Sequence, residues 1–122
     1  MTTALVLLIL LQIKHWYVDF VIQTMVEVNG KGIYGNIDGI KHSAKHLLGT
    51  LLIFLLVLGP TYTILAISVA LIDFITHYHI DWAKMNYGNR DITNLQFWNH
   101  LGLDQMLHQI TYLLLTYAVI TY

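Results

Sequence analysis

Apolar residues gather in four runs along the chain, Ala4 to Ile13, Leu47 to Leu58, Tyr62 to Ile75 and Ile110 to Ile120. None is long enough by itself to cross a hydrocarbon core, which takes about 20 helical residues. Each run, however, continues into a segment that keeps a helical pattern while taking up His and Asp. The pattern predicts four helices, at about 3–28, 39–58, 61–87 and 93–121, and so an all-α, four-transmembrane-helix bundle with residues 1–122 as a single integral membrane domain. The breaks between runs agree: a glycine-rich stretch from Asn29 to Asn36, a tight stop at Gly59-Pro60, and Asn86-Tyr87-Gly88-Asn89. Thr93 or Asn94 is placed to cap the last helix.

Composition sharpens this picture. The 122 residues are 57% hydrophobic and 11% charged, where an ordinary soluble domain carries about 25% charged residues. A domain this small cannot hide so much apolar surface in its own core, which excludes a water-soluble monomer. Six Lys and Arg against seven acidic residues leave no basic stripe for nucleic acid. With no Cys, metal or catalytic chemistry must come from His, carboxylates and hydroxyls.

Orientation follows from charge. Met1-Thr2-Thr3 lacks the basic region of a signal peptide, so the first helix is expected to be retained. Lys31, Lys41, Lys45, Lys84 and Arg90 all fall at one side of the four predicted crossings, which the positive-inside rule makes cytoplasmic. Both termini are then non-cytoplasmic, in what is expected to be a bacterial inner membrane. Trp16, Trp82 and Trp98 lie toward the cytoplasmic end as an interfacial belt, with Tyr62, Tyr117 and Tyr122 at the other. The first helix fits worst, because only about 18 Å of helix precedes Trp16. Lys14 must snorkel or face the bundle.

The chemistry lies in a spacing. His15 and Asp19, His42 and His46, Asp73, His77 and Asp81, and His100, Asp104 and His108 give six His/Asp pairs four residues apart. Random placement would give about one, and on a helix that spacing puts both side chains on one face. Facing helices carrying such pairs can complete a metal shell in a bundle core. The ligands expected are His15, Asp19, His46, His77, Asp81, Asp104 and His108, with Lys84, Gln23 and Gln105 in catalytic or substrate-binding roles. His42, Asp73 and His100 are ambiguous between ligand and structural partner; His79 reads as an ordinary interfacial histidine, and Glu27, Asp38, Arg90 and Asp91 as solvated charges. The bland alternative for the stripes is interhelical polar glue or helix ends reaching water. Against it, all these groups fall in the cytoplasmic halves of their helices, and ionisable residues within membrane helices are costly and tend to be functional.

The segments Lys14-His15 to Asp19-Phe20 to Gln23, His77 to Asp81 to Lys84, and Asp104-Gln105 to His108 resemble the motifs H-x3-D-F-x2-Q, H-x3-D-x2-K and D-Q-x2-H. These motifs belong to a family of small uncharacterised four-helix integral membrane proteins of bacteria and phages. The resemblance spans most of the chain and implies that these residues, with His46, form a shared site; it implies no activity. In spacing alone the chain is also similar to membrane-bound metal-dependent hydrolases and the zinc phospholipase C group.

The function expected is metal-dependent hydrolysis of a phosphoester or ester, with a membrane lipid as one candidate substrate, near the cytoplasmic membrane surface. The cofactor expected is a divalent metal, zinc first and manganese or iron as alternatives. Lys84 would steady developing negative charge, and a carboxylate free of metal would act as base. Two alternatives remain open: a non-haem di-iron membrane oxidoreductase, and a non-enzymatic interaction or pore protein that forms a homo-oligomer or docks onto a host membrane complex.

Overall fold

A computed structural model describes residues 2–122, which are helical with no strand among them. The first helix, α1 (Thr3–Trp16), is opened by the Thr2 side chain accepting from the Leu5 N–H, and runs on through a five-residue π-helical turn at Tyr17–Val21. There the predicted 3–28 helix stops. Thr24 and Glu27 form a reciprocal capping box that starts a separate short helix, α2 (Met25–Lys31). The polar ends of α2 are drawn inward, so it packs across α3 and α4 instead of extending the first span. The remaining helices are α3 (Ile37–Leu58), α4 (Thr63–Tyr87) and α5 (Leu95–Thr121), close to the predicted bounds. Asn36 and Asn94 cap α3 and α5, each accepting from the backbone N–H two residues on. The α3–α4 connection turns at Gly59, whose φ of 88° belongs to the left-handed region glycine favours, and passes through a single 3-10 turn at Pro60–Tyr62.

Three segments are long and apolar enough to cross a membrane: Thr3–Val21, Ile37–Leu58 and Pro60–Tyr87. This corrects the expectation of four. At 27 residues α5 has the length, but Gln96, Asn99, His100, Asp104, Gln105, His108 and Gln109 leave only its second half apolar.

α1 packs against α3 and α5, α3 against α4, and α4 against α5, closing a ring of four helices. One end of the ring is an apolar layer in which Leu7 and Leu11 of α1 meet Ile53 and Phe54 of α3, Ala66 and Val69 of α4, and Leu115 and Val119 of α5. Toward the other end the interior becomes polar. Fifteen polar or charged residues are buried against twelve hydrophobic ones, while Leu48, Leu56, Ile64 and Leu114 point outward. A water-soluble core would reverse that balance, so the exterior of this bundle suits lipid and its interior suits polar chemistry.

Candidate metal centre

The polar interior is layered. Next to the apolar core, the Lys14 ammonium donates to Asp73 Oδ2 at 2.9 Å and Tyr112 OH at 3.0 Å, and sits 3.1 Å from His46 Nδ1. Thr50 Oγ1 donates to the same Asp73 oxygen at 2.5 Å. Gly49 makes room for the lysine stem, since a Cβ there would lie 2.7 Å from Lys14 Cγ. Lys14 therefore faces the bundle and does not snorkel. Asp73 is its counter-ion in this layer.

One turn further along, imidazoles converge on Asp19. Its Oδ1 is 2.8 Å from His46 Nε2, 2.9 Å from His42 Nε2 and 3.5 Å from His77 Nε2, and the last two nitrogens are 3.3 Å apart. Ligand atoms about 2.0–2.1 Å from a tetrahedral zinc ion are about 3.3 Å from one another, so four side chains from α3, α4 and the π-helical turn approach the edges of such a polyhedron. The π-helical turn carries Asp19 into this position, in keeping with the frequent placement of such turns at functional sites. His15 reaches Asp19 Oδ2 at 3.2 Å and is fixed by Tyr112 OH on Nδ1 and Gln105 Oε1 on Nε2, both at 2.9 Å.

A second group lies beside the first. His108 Nε2 is 3.2 Å from Asp81 Oδ1 and 3.4 Å from Asp104 Oδ1. The other Asp81 oxygen, Oδ2, is 3.1 Å from His77 Nε2 and 3.4 Å from His42 Nε2. Asp81 thus presents one carboxylate oxygen to each group. Lys31 Nζ comes within 3.0 Å of Asp81 Oδ2 without hydrogen-bond alignment, leaving that oxygen and Asp104 Oδ1 buried with no hydrogen-bond donor. Asp104 Oδ2 accepts from Gln105 Nε2 at 3.0 Å and Lys84 Nζ at 3.3 Å. Three sets of side chains bring candidate ligand atoms within 4.8 Å of one another: Asp19, His42, His46 and His77; Asp81, Asp104 and His108; and His15, His77 and His108. Neutral imidazole and ionised carboxylate are donors suited to zinc, manganese or iron.

All seven ligands expected from the sequence, His15, Asp19, His46, His77, Asp81, Asp104 and His108, are brought together in this cluster. So is His42, which spacing alone left open. Lys84 and Gln105 contact it through Asp104. Gln23 does not: its Nε2 folds back onto the Asp19 carbonyl at 2.9 Å. His100 accepts from the Asn89 N–H, and His79 bonds the Ile75 carbonyl and Tyr34, both outside the cluster. The expectation that Glu27 is solvated is overturned, because it is only 6% exposed. It accepts from Lys45 and approaches His42 Nδ1 at 3.6 Å. Burial pushes its carboxyl pKa up, but the Lys45 ammonium and the Thr24 N–H outweigh this and hold it below its ordinary value of 4.5. Lys31, which the sequence places in the glycine-rich break, is likewise buried against Asp81. The missed signal was the Thr24-Met25-Val26-Glu27 capping box, which turns the chain and brings Glu27 and Lys31 inward.

The chain belongs to a family described as protein of unknown function (DUF3307), which matches residues 7–122. This agrees with the resemblance to an uncharacterised family drawn from the motifs. No curated protein and no solved structure matches the chain, so the remoter likeness to metal-dependent hydrolases rests on residue spacing alone.

Proposed function

We propose that this member of the DUF3307 family is a membrane-embedded hydrolase that uses two divalent metal ions to cleave an ester or phosphoester near the cytoplasmic membrane surface. The observation that carries the reading is the Asp81 carboxylate, with Oδ2 toward His77 and His42 and Oδ1 toward His108. A carboxylate so placed would offer one oxygen to each of two metal ions. Asp19, His42, His46 and His77 would hold one ion, and Asp104 and His108 the other, with His15 at its edge. Two such ions activate a water and clamp the attacking and leaving oxygens of a displacement. Zinc suits the histidine-rich group best, and manganese or iron also fit the carboxylate-rich one.

The protein's own groups supply the rest. Lys84 has one hydrogen bond to Asp104 and faces the cavity beside it, where its ammonium can stabilise charge developing on a substrate oxygen. Gln105 ties His15 to Asp104 and fixes both. The basic residues Lys41, Lys45, Lys84 and Arg90 mark a cytoplasmic end by the positive-inside rule.

The test is metal content per chain in detergent-purified protein, by elemental mass spectrometry. Wild type is expected to hold about two ions, Asp81→Asn and His77→Ala fewer than one, with helicity retained in each. Stoichiometric iron with an oxygen-dependent absorption band would turn the reading toward an oxidoreductase. No bound metal after incubation with zinc, manganese and iron would end it.

A further inference from the structure

A cavity of about 460 Å³ lies between α4 and α5, against the carboxylate-rich end of the metal cluster. Ile80 and Ala83 wall it on α4, Leu103 and Leu107 on α5, and Lys84 and Asp104 belong to its lining. Leu103 and Leu107 are themselves partly exposed on the bundle exterior, and a Cβ built on the neighbouring Gly102 would meet nothing within 4 Å. The groove thus opens sideways, where a membrane would place acyl chains. Its size suits one bound small molecule, for which pockets run about 300–1,000 Å³.

A second cavity of about 240 Å³ shares Lys84 and His100 with the first and adds Asn89 and Arg90. Arg90 is exposed and has no ion-pair partner among the described residues. Where an apolar groove and a cationic pocket meet, the molecule that matches both has one apolar chain and an anionic head. Charge balance points the same way. With two divalent ions bound, the ions together with Lys31 and Lys84 outweigh the carboxylates of Asp19, Asp81 and Asp104, and an anion restores the balance.

We infer that the α4–α5 groove is a lateral portal for a single-chain amphiphile with a phosphate-ester head, drawn from the membrane. Its chain lies along Ala83, Leu103 and Leu107, and its phosphate sits between Lys84 and Arg90, adjoining Asp104. The assignment rests on the metal-hydrolase reading for its chemistry, but its binding geometry is separately measurable.

Dodecyl phosphate is the probe, titrated into metal-incubated protein in neutral-detergent micelles and followed by ³¹P NMR, with inorganic phosphate as the second arm. Wild type is expected to bind dodecyl phosphate at least about tenfold more tightly than inorganic phosphate. Ala83→Trp, which fills the groove, and Arg90→Glu, on an exposed loop, are each expected to weaken it about tenfold while leaving metal content unchanged. Equal affinity for the two probes, or unchanged affinity in both variants, overturns the portal. Loss of the metal reading would instead show as metal-free wild type, a separate measurement on the same samples.

Discussion

Replacing Lys14 by Met keeps an unbranched apolar stem beside Gly49 and removes only the ammonium. That ammonium contacts three groups on three other helices, His46 on α3, Asp73 on α4 and Tyr112 on α5. Asp73, 1% exposed, is then left with Thr50 as its side-chain donor. Stranding one partner of a buried ion pair costs about 3–5 kcal/mol in soluble proteins. In a membrane the unfolded reference also finds partners, and interhelical hydrogen bonds average about 0.6 kcal/mol, so three of them set a floor of about 2 kcal/mol. The expected loss is therefore about 2–5 kcal/mol, measured by reversible unfolding in mixed dodecyl sulfate and maltoside micelles, with helicity by circular dichroism as the signal. Adding Asp73→Asn removes the stranded charge and should recover more than half of the loss. A single variant within about 0.5 kcal/mol of wild type, or a double variant no better than the single one, would refute the assignment of Lys14 and Asp73 as a charged pair.

Gly49→Ala should cost about 1–3 kcal/mol through overpacking against Lys14, and the cost should vanish in a Lys14→Ala background. Glu27→Gln loses the Lys45 ion pair while its amide oxygen still closes the capping box, and should destabilise by about 1 kcal/mol. Because the Glu27 pKa is held below 4.5 in the folded protein, its contribution is complete above that pH and is lost as pH falls through the lowered value. The difference between wild type and Glu27→Gln should therefore shrink below about pH 4.5, as a pH series of unfolding midpoints would show. Chelation should lower the thermal midpoint of wild type, since an ion at 1,000 times its dissociation constant adds about 4 kcal/mol, and should leave Asp81→Asn nearly unmoved.

Much of the bundle was legible because a period of four residues is a statement about one helix face. His15 with Asp19 and His77 with Asp81 could be placed together without coordinates. The break after the first span was not, because an apolar count treats Val26 and Val28 as continuing a hydrophobic run, whereas the Thr24 cap ends it. His42 was ambiguous for a different reason. Its place in the Asp19 group depends on the rotation of α3 against the π-helical turn, and no sequence period carries that angle. The fourth span was overcounted because the apolar run in α5 is short, and its polar half is accommodated by tertiary packing instead of composition.

Interhelical glue and a metal centre make different demands on the same residues. Glue is worth about 0.6 kcal/mol per interhelical hydrogen bond, and only when each donor meets an acceptor. A buried polar atom left without a partner costs about 1–3 kcal/mol, more when it is charged. The cluster leaves four such atoms, Asp81 Oδ2, Asp104 Oδ1, His42 Nδ1 and His77 Nδ1. A hydrogen-bonding core under selection for stability would give each of these atoms a partner. Carboxylates stand here 3.1–3.4 Å from imidazole nitrogens, and a carboxylate oxygen facing a nitrogen lone pair is repelled unless a proton or a cation lies between them. Lys84 approaches Asp104 at Oδ2 and leaves Oδ1 aimed at His108, whereas Lys31 shares Asp81 Oδ2 with His77 and His42. The two demands separate in Asp81→Asn: as glue the wild type has no metal to lose and the variant only strands the buried Lys31 ammonium, whereas as a metal centre the variant loses ions that wild type holds.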